Sequence, residues 1–206
     1  MGKLVVSEFM SLDGIIEDPG GAEGYAHGGW SFQNPTPDGD QFKLEELRAA
    51  DVLLLGRVTY QGFAAAWPGM EDTTGEFGKK MNAMPKVVVT TTLTETPWKN
   101  STILSGDVPA GVADLKRQYD GDILVYASAT LTDTLREYDL VDEYRLMVHP
   151  VVLGSGKRMF KENAAGTGLT LIDYRKVGPD VVLLTYGPAA AKPDQLPARG
   201  PATGRG

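Results

Sequence analysis

The sequence contains no cysteine and only two histidines, His27 and His149. The first absence excludes disulfides, thiolate zinc sites and a cysteine nucleophile, and it suits a reducing compartment. The second leaves too few imidazoles for a histidine-based metal centre, so no metal is expected. His149, inside an extended apolar run, reads instead as a packed, hydrogen-bonded residue. No apolar run approaches the roughly 18 residues of a membrane span. The opening Met1-Gly2-Lys3-Leu4-Val5-Val6 lacks the apolar core and cleavage site of a signal peptide, so a cytoplasmic location is expected.

Positive charge is in the minority. Lys and Arg number 20 against 27 Asp and Glu, a formal net charge of −7. Nucleic acid and acidic membranes need clustered cations, so neither is an expected partner, though a local basic pocket for one phosphate is compatible with that total. Two catalytic signatures are missing as well. There is no G-x-G-x-x-G after the first strand, and Gly154-Ser155-Gly156 comes late without a strand–helix context. No G-x-S-x-G elbow or Ser–His–Asp arrangement stands out.

What is present is an ordinary globular composition, 42% apolar and 23% charged over 206 residues, enough for one sizeable core. Strand-like and helical patterns alternate. Leu4–Phe9 reads as a strand, 13–40 as a long Gly- and Pro-rich loop, 41–50 as a helix and Val52–Leu55 as a buried strand. Phe77, Met81 and Met84 share a helix face that Pro85 would stop. Lys86–Thr91 follows as a strand, then a helix from Val108 to Tyr119 with Asp107 as N-cap. Ile123–Tyr126 is a strand, Leu131–Tyr138 a helix and 143–152 extended, with Pro150 near its end. Leu169–Val177 and Asp180–Tyr186 flank Gly178-Pro179 as a closing hairpin. The pattern predicts an α/β fold with a mostly parallel sheet and a C-terminal antiparallel hairpin. From Pro188 on, seven of 19 residues are Pro or Gly, and 188–206 reads as a disordered tail after a domain of 1–187.

Three strand ends carry polar or small residues. Gly56, Arg57 and Thr59 follow the Val52–Leu55 strand into a helix start, where the helix dipole and a guanidinium favour an anion. Thr90, Thr91 and Thr92 follow the next strand with hydroxyls for a phosphate or ribose. Ala127, Ser128, Ala129 and Thr130 follow Ile123–Tyr126 and let a ligand approach a helix N-terminus. Together they form the edge that an open α/β sheet presents to a nucleotide. Candidate proton-handling carboxyls lie earlier, at Asp13 after the first strand and at Asp38 and Asp40 before the Gln41 helix, with Trp30 at the far end of the loop. Asp-Gly is also a common turn pair, and Asp40 is also a possible N-cap.

In order and spacing, Ser11-Leu12-Asp13-Gly14, Leu54-Leu55-Gly56-Arg57-Val58-Thr59-Tyr60, Lys86-Val87-Val88-Val89-Thr90, Leu140-Val141-Asp142-Glu143-Tyr144 and Pro150-Val151-Val152-Leu153-Gly154-Ser155-Gly156-Lys157 resemble the dihydrofolate reductase-like superfamily. Within it they resemble the reductase domain of the bacterial riboflavin-biosynthesis deaminase-reductase (RibD C-terminal). The likeness spans about residues 3–187. It implies a central, mostly parallel twisted sheet flanked by helices, a homodimer, and NADPH across the strand ends. Gly56, Arg57 and Thr59 would meet phosphates, and Thr90–Thr92 the 2′-phosphate side. Ala127–Leu131 would lie under the pyrophosphate and nicotinamide, opposite a substrate facing Asp13, Trp30 and Asp38–Asp40. Asp38, four residues before Phe42, has the spacing of the dihydrofolate reductase acid.

Two departures stand out. Ala127-Ser128 replaces the Gly-Gly pair usual in dihydrofolate reductases, and Tyr126 stands where riboflavin-pathway reductases place a substrate-contacting acid. No deaminase segment is read, so only a reductive half-reaction is expected. The implied activity is NADPH-dependent reduction of a small heterocycle of pterin, pyrimidine or ribosylaminopyrimidine type, with Asp13 or Asp38 handling the proton. The alternatives are 5-amino-6-(5-phosphoribosylamino)uracil reductase, a true dihydrofolate reductase, a non-catalytic nucleotide-binding module and a structural dimer.

Overall fold

Leu4-Val5-Val6 is apolar on both pleats, and the strand it starts lies inside the sheet, covered on both faces. The computed structural model describes residues 1–34, 36–161 and 166–190. In chain order the strands are β1 (Leu4–Ser11), β2 (Ala50–Gly56), β3 (Lys86–Val89), β4 (Ser101–Leu104), β5 (Asp122–Tyr126), β6 (Glu143–His149), β7 (Leu169–Lys176) and β8 (Val182–Pro188). The helices are α1 (Pro37–Ala49), α2 (Arg57–Ala66), α3 (Glu71–Thr74), α4 (Glu76–Ala83), α5 (Val108–Gln118) and α6 (Ala129–Glu137). The strands form one sheet in the order β4-β3-β2-β5-β1-β6-β8-β7. It is parallel from β4 through β6, and β8 runs antiparallel to both β6 and β7. The α/β class, mostly parallel with a closing antiparallel hairpin, is as the sequence pattern predicts.

Alternation along the strands divides the core. Leu4, Val6, Leu54, Ile123 and Val125 pack with Val112 and Leu115 of α5 and Leu131 and Leu135 of α6. Val5, Leu53, Leu55 and Leu124 pack on the other face with Leu47 of α1 and Met81 of α4. Because β5 returns between β2 and β1 after the chain has stepped outward to β4, the strand order reverses there. Crevices open at such points beyond the carboxyl ends of the strands.

Several boundaries differ from the sequence reading. α1 begins at Pro37, which suits a helix's first turn, so the long loop is shorter than expected and holds a 3₁₀ turn at Trp30–Gln33. β3 stops at Val89 because the Thr90 hydroxyl accepts hydrogen bonds from the N–H groups of Thr92 and Leu93, both at 3.1 Å, and closes a turn. β6 ends at His149, before Pro150. Asp107 caps α5 as expected, accepting from the Ala110 N–H at 3.0 Å. The short, half-exposed edge strand β4 is absent from the sequence reading because it carries no buried alternation. Of the expected tail, Pro188 closes β8 and the Ala189 N–H donates to the Gly168 carbonyl at 3.0 Å. Residues 191–206 lie outside the described residues.

Candidate functional site

A cleft of about 510 Å³ opens at the carboxyl ends of β2, β3 and β5. It receives Gly56, Arg57 and Thr59 from the β2–α2 junction, Thr90, Thr91 and Thr92 from the turn after β3, and Ala127, Ser128, Ala129, Thr130 and Leu131 from the β5–α6 junction. Every strand-end residue singled out in the sequence therefore meets in one place. The opposite rim is Ile16, Glu17 and Glu23 from the loop after β1, together with Lys157. That rim is tied down by a Lys157–Glu17 ion pair at 2.9 Å and by the Tyr25 hydroxyl donating to the Ser155 carbonyl.

The cleft suits an anion. α2 and α6 start on it without a side-chain cap among the described residues, unlike α5, which Asp107 caps. Their first N–H groups and dipole ends are thus directed at the cleft. Arg57 is exposed, and its Nη1 donates to the Gln61 side-chain oxygen at 2.9 Å, a neutral partner, and it forms no ion pair among the described residues. The floor is built of small residues, and a Cβ on Gly56 would stand 3.5 Å from the Ser128 side chain. Ala127 and Ser128 sit at φ 50° and 63°. They keep a left-handed backbone, which costs an L-residue about 1–2 kcal/mol relative to the right-handed form. Ala127 and Ser128 thus carry side chains on a left-handed turn at the cleft floor. One of them has a visible effect: the Ser128 hydroxyl accepts from the Gly56 N–H at 3.0 Å. These residues fit an extended phosphate-bearing ligand such as a dinucleotide.

The carboxyl and aromatic candidates are placed elsewhere: Asp13, Trp30, Asp38, Asp40 and Tyr126 do not line this cleft. Asp13 accepts from the Ser11 hydroxyl at 2.7 Å and from the N–H groups of Leu153 and Gly154 at 3.1 and 2.8 Å. Those hydrogen bonds, Ser11 foremost, hold its pKa down to about 2. It is a carboxylate that latches two loops, the reverse of what a proton donor at neutral pH requires. Trp30 is 1% exposed, edge-on to His149 at 5.4 Å, and its indole N–H donates to the Glu17 carbonyl at 2.8 Å. It anchors the loop from within. Asp38 and Asp40 are exposed on the first turn of α1, where desolvation raises the Asp40 pKa. Tyr126 is buried, with its hydroxyl donating to Glu46 Oε2 at 3.0 Å; burial first, then Glu46, push its pKa up. His149 is packed as expected between Phe9 and Trp30, but its ring nitrogens have no hydrogen-bond partner among the described residues. Burial lowers its pKa to about 4.

Sequence reasoning missed a buried ionic cluster on β1, α1 and β6. Lys43 Nζ donates to Ser7 Oγ at 2.6 Å and Glu46 Oε2 at 2.9 Å, and lies 4.3 Å from the Tyr126 ring centre. Arg145 bonds Glu46, Asp122 and Glu143. Next to Ser7, Glu8 is 3% exposed, and burial raises its pKa to about 8. The signal was the polar pair Ser7-Glu8 inside the otherwise apolar run Leu4–Met10.

The sheet order, its parallel centre and the cleft at the strand ends define the dihydrofolate reductase-like class of α/β proteins. The chain belongs to the RibD C-terminal domain family, whose model matches residues 2–183. It is 28% identical over 186 residues to the uncharacterized protein YyaP of Bacillus subtilis (strain 168), covering 89% of this chain and 94% of that one. Among solved structures it resembles a Shewanella sp. PV-4 protein described as a candidate riboflavin biosynthesis protein, with a TM-score of 0.72 at 23% identity over 92% of this chain and 99% of that one. It also resembles Enterococcus faecalis dihydrofolate reductase, solved with NADP(H), with a TM-score of 0.59 at 14% identity over 91% and 96% of the two chains. At these identities the structural likenesses establish the fold. No helix among the described residues is long and apolar enough to cross a membrane.

Proposed function

We propose that the protein is an NADPH-dependent reductase of a small heterocycle of pterin, pyrimidine or ribosylaminopyrimidine type. The observation that carries this reading is the convergence of two uncapped helix N-termini and Arg57 on one strand-end cleft. In this reading α2, α6 and Arg57 hold the phosphates, Thr91 and Thr92 face the 2′-phosphate end, and Ala127–Leu131 support the pyrophosphate and nicotinamide. A bound dihydronicotinamide supplies a hydride; the chain orients it and keeps water out. The NADP(H) complex of the dihydrofolate reductase that shares the fold supports the choice of cofactor. Within this proposal Tyr126, sealed against Glu46, weighs against the specific 5-amino-6-(5-phosphoribosylamino)uracil reaction. Arg57→Ala should raise the NADPH dissociation constant about tenfold or more, the scale of one charge-assisted contact. An unchanged constant in a fluorescence titration would take Arg57 out of the site.

A second reading, a nucleotide-binding module without turnover, is favoured by one feature: the Ser128 hydroxyl occupies the Gly56 N–H that an anion would otherwise take. NADPH oxidation across a panel of pterins and pyrimidines supports the reductase; binding with no oxidation across the panel supports the module.

A further inference from the structure

The turn Gly154-Ser155-Gly156-Lys157 brings a cation to the cleft wall on the rim opposite Arg57. Its backbone is held by bonds that do not involve the ammonium group. The Ile16 N–H donates to the Lys157 carbonyl at 2.8 Å, and the Met159 N–H to the Gly14 carbonyl at 2.9 Å. Glu17 Oε2 accepts from the Lys157 backbone N–H at 2.9 Å, and the Glu17 carbonyl accepts from the Trp30 indole at 2.8 Å. The turn also lies flush against the loop after β1. Gly156 has φ 120°, and a Cβ there would stand 2.9 Å from the Ile15 side chain. The Lys157 backbone is therefore fixed, while its side chain is 58% exposed. The Lys157 Nζ meets Glu17 Oε1 at 2.9 Å, and no other residue accepts from its three N–H groups among the described residues. Among the described residues that line the cleft, Arg57 and Lys157 are the only cations, set against Glu17 and Glu23.

We propose that Lys157 is a ligand-binding arm of the cleft, which exchanges Glu17 for a phosphoryl group when the cleft fills. This rests on the reductase reading, in which the phosphoryl group belongs to the dinucleotide or to a phosphorylated heterocycle. The exchange costs little. An exposed ion pair contributes little net stability, because water screens it and two flexible side chains must be ordered to make it. A phosphoryl oxygen brings its charge into a cleft already polarised by the N-termini of α2 and α6, and a charge-assisted hydrogen bond made there is the stronger one. In the free protein Glu17 acts as the counter-ion that keeps the ammonium on the rim. Its second oxygen, on the Lys157 backbone N–H, keeps the turn in place when the ammonium leaves.

The test is calorimetric titration of the wild type, Lys157→Met and Glu17→Gln with two probes: NADPH, and ribose 5-phosphate added to the NADPH-saturated protein. Lys157→Met should raise the dissociation constant of one probe about fivefold. Glu17→Gln keeps an oxygen for the Lys157 N–H and removes the competing charge, so it should lower the same constant about twofold or more. Opposite shifts on NADPH assign Lys157 to the dinucleotide phosphates. Opposite shifts on ribose 5-phosphate, with NADPH unchanged, assign it to a phosphorylated substrate. A pair that only straps the rim would make both substitutions act alike. Shifts of the same sign, or no opposite shifts on either probe, overturn the proposal and leave the reductase reading standing wherever the wild type binds NADPH. If the wild type binds no NADPH, the reductase reading itself fails and this proposal falls with it.

Discussion

Glu8 and His149 are both buried ionisable groups that the fold keeps neutral, and they pull stability in opposite directions with pH. Burial lifts the Glu8 pKa from 4.5 to about 8, so over that interval the folded chain holds a proton that the unfolded chain has lost. Stability then falls as pH rises, by up to about 1.4 kcal/mol per unit for one proton. Burial lowers the His149 pKa from 6.5 to about 4, so over that interval the unfolded chain binds the extra proton and stability rises with pH. The two slopes oppose each other between 4.5 and 6.5, and from 6.5 to about 8 only that of Glu8 remains. Urea melts should therefore show a plateau between about pH 4.5 and 6.5 and a decline from there to about pH 8, with the decline removed in Glu8→Gln. A decline that survives the substitution would mean that another group is responsible. Neither neutral group was legible in the sequence. A glutamate in a strand reveals its protonation state only once the surrounding chain removes water from it, and His149 acquires its aromatic walls from Phe9 and Trp30, far away in sequence.

At the scale of elements, the β5–α6 turn decides how well the cleft can hold an anion. Ser128 both strains the backbone and occupies the Gly56 N–H. Ser128→Gly removes the side chain at a left-handed position and frees that donor. It should tighten NADPH binding by about threefold or more, roughly the value of one modest hydrogen bond; weaker binding would show that the hydroxyl itself is a ligand contact. The cleft was legible because each of its three edges is one contiguous stretch, a buried strand running into small or polar residues. The opposite rim was not, since it is made by distant pairings. Asp13 latches onto Leu153 and Gly154, Glu17 pairs with Lys157, and Ile15 bridges to Arg158. Asp13, Trp30 and Tyr126 have the residue types of an active site, but in the fold each makes internal hydrogen bonds that commit it to holding loops or core together. Residue type and loop position carry no information about such partners.

For the whole molecule, the sheet leaves β7 as an edge strand with Leu171, Ile172 and Tyr174 exposed. A long edge with exposed apolar residues is prone to pair with another chain. We propose this edge as the seat of the homodimer that the family resemblance implies. Sedimentation should then show a dimer that Ile172→Lys with Tyr174→Lys converts to monomer, and a wild-type monomer would remove the proposal. The reductase reading of the cleft is tested most directly by calorimetric titration of the protein with NADPH and, in parallel, NADH. NADPH should bind with clear preference over NADH, because only NADPH brings a 2′-phosphate to the threonine turn at Thr91 and Thr92. Binding of neither dinucleotide would contradict the reductase reading and leave the cleft to another ligand.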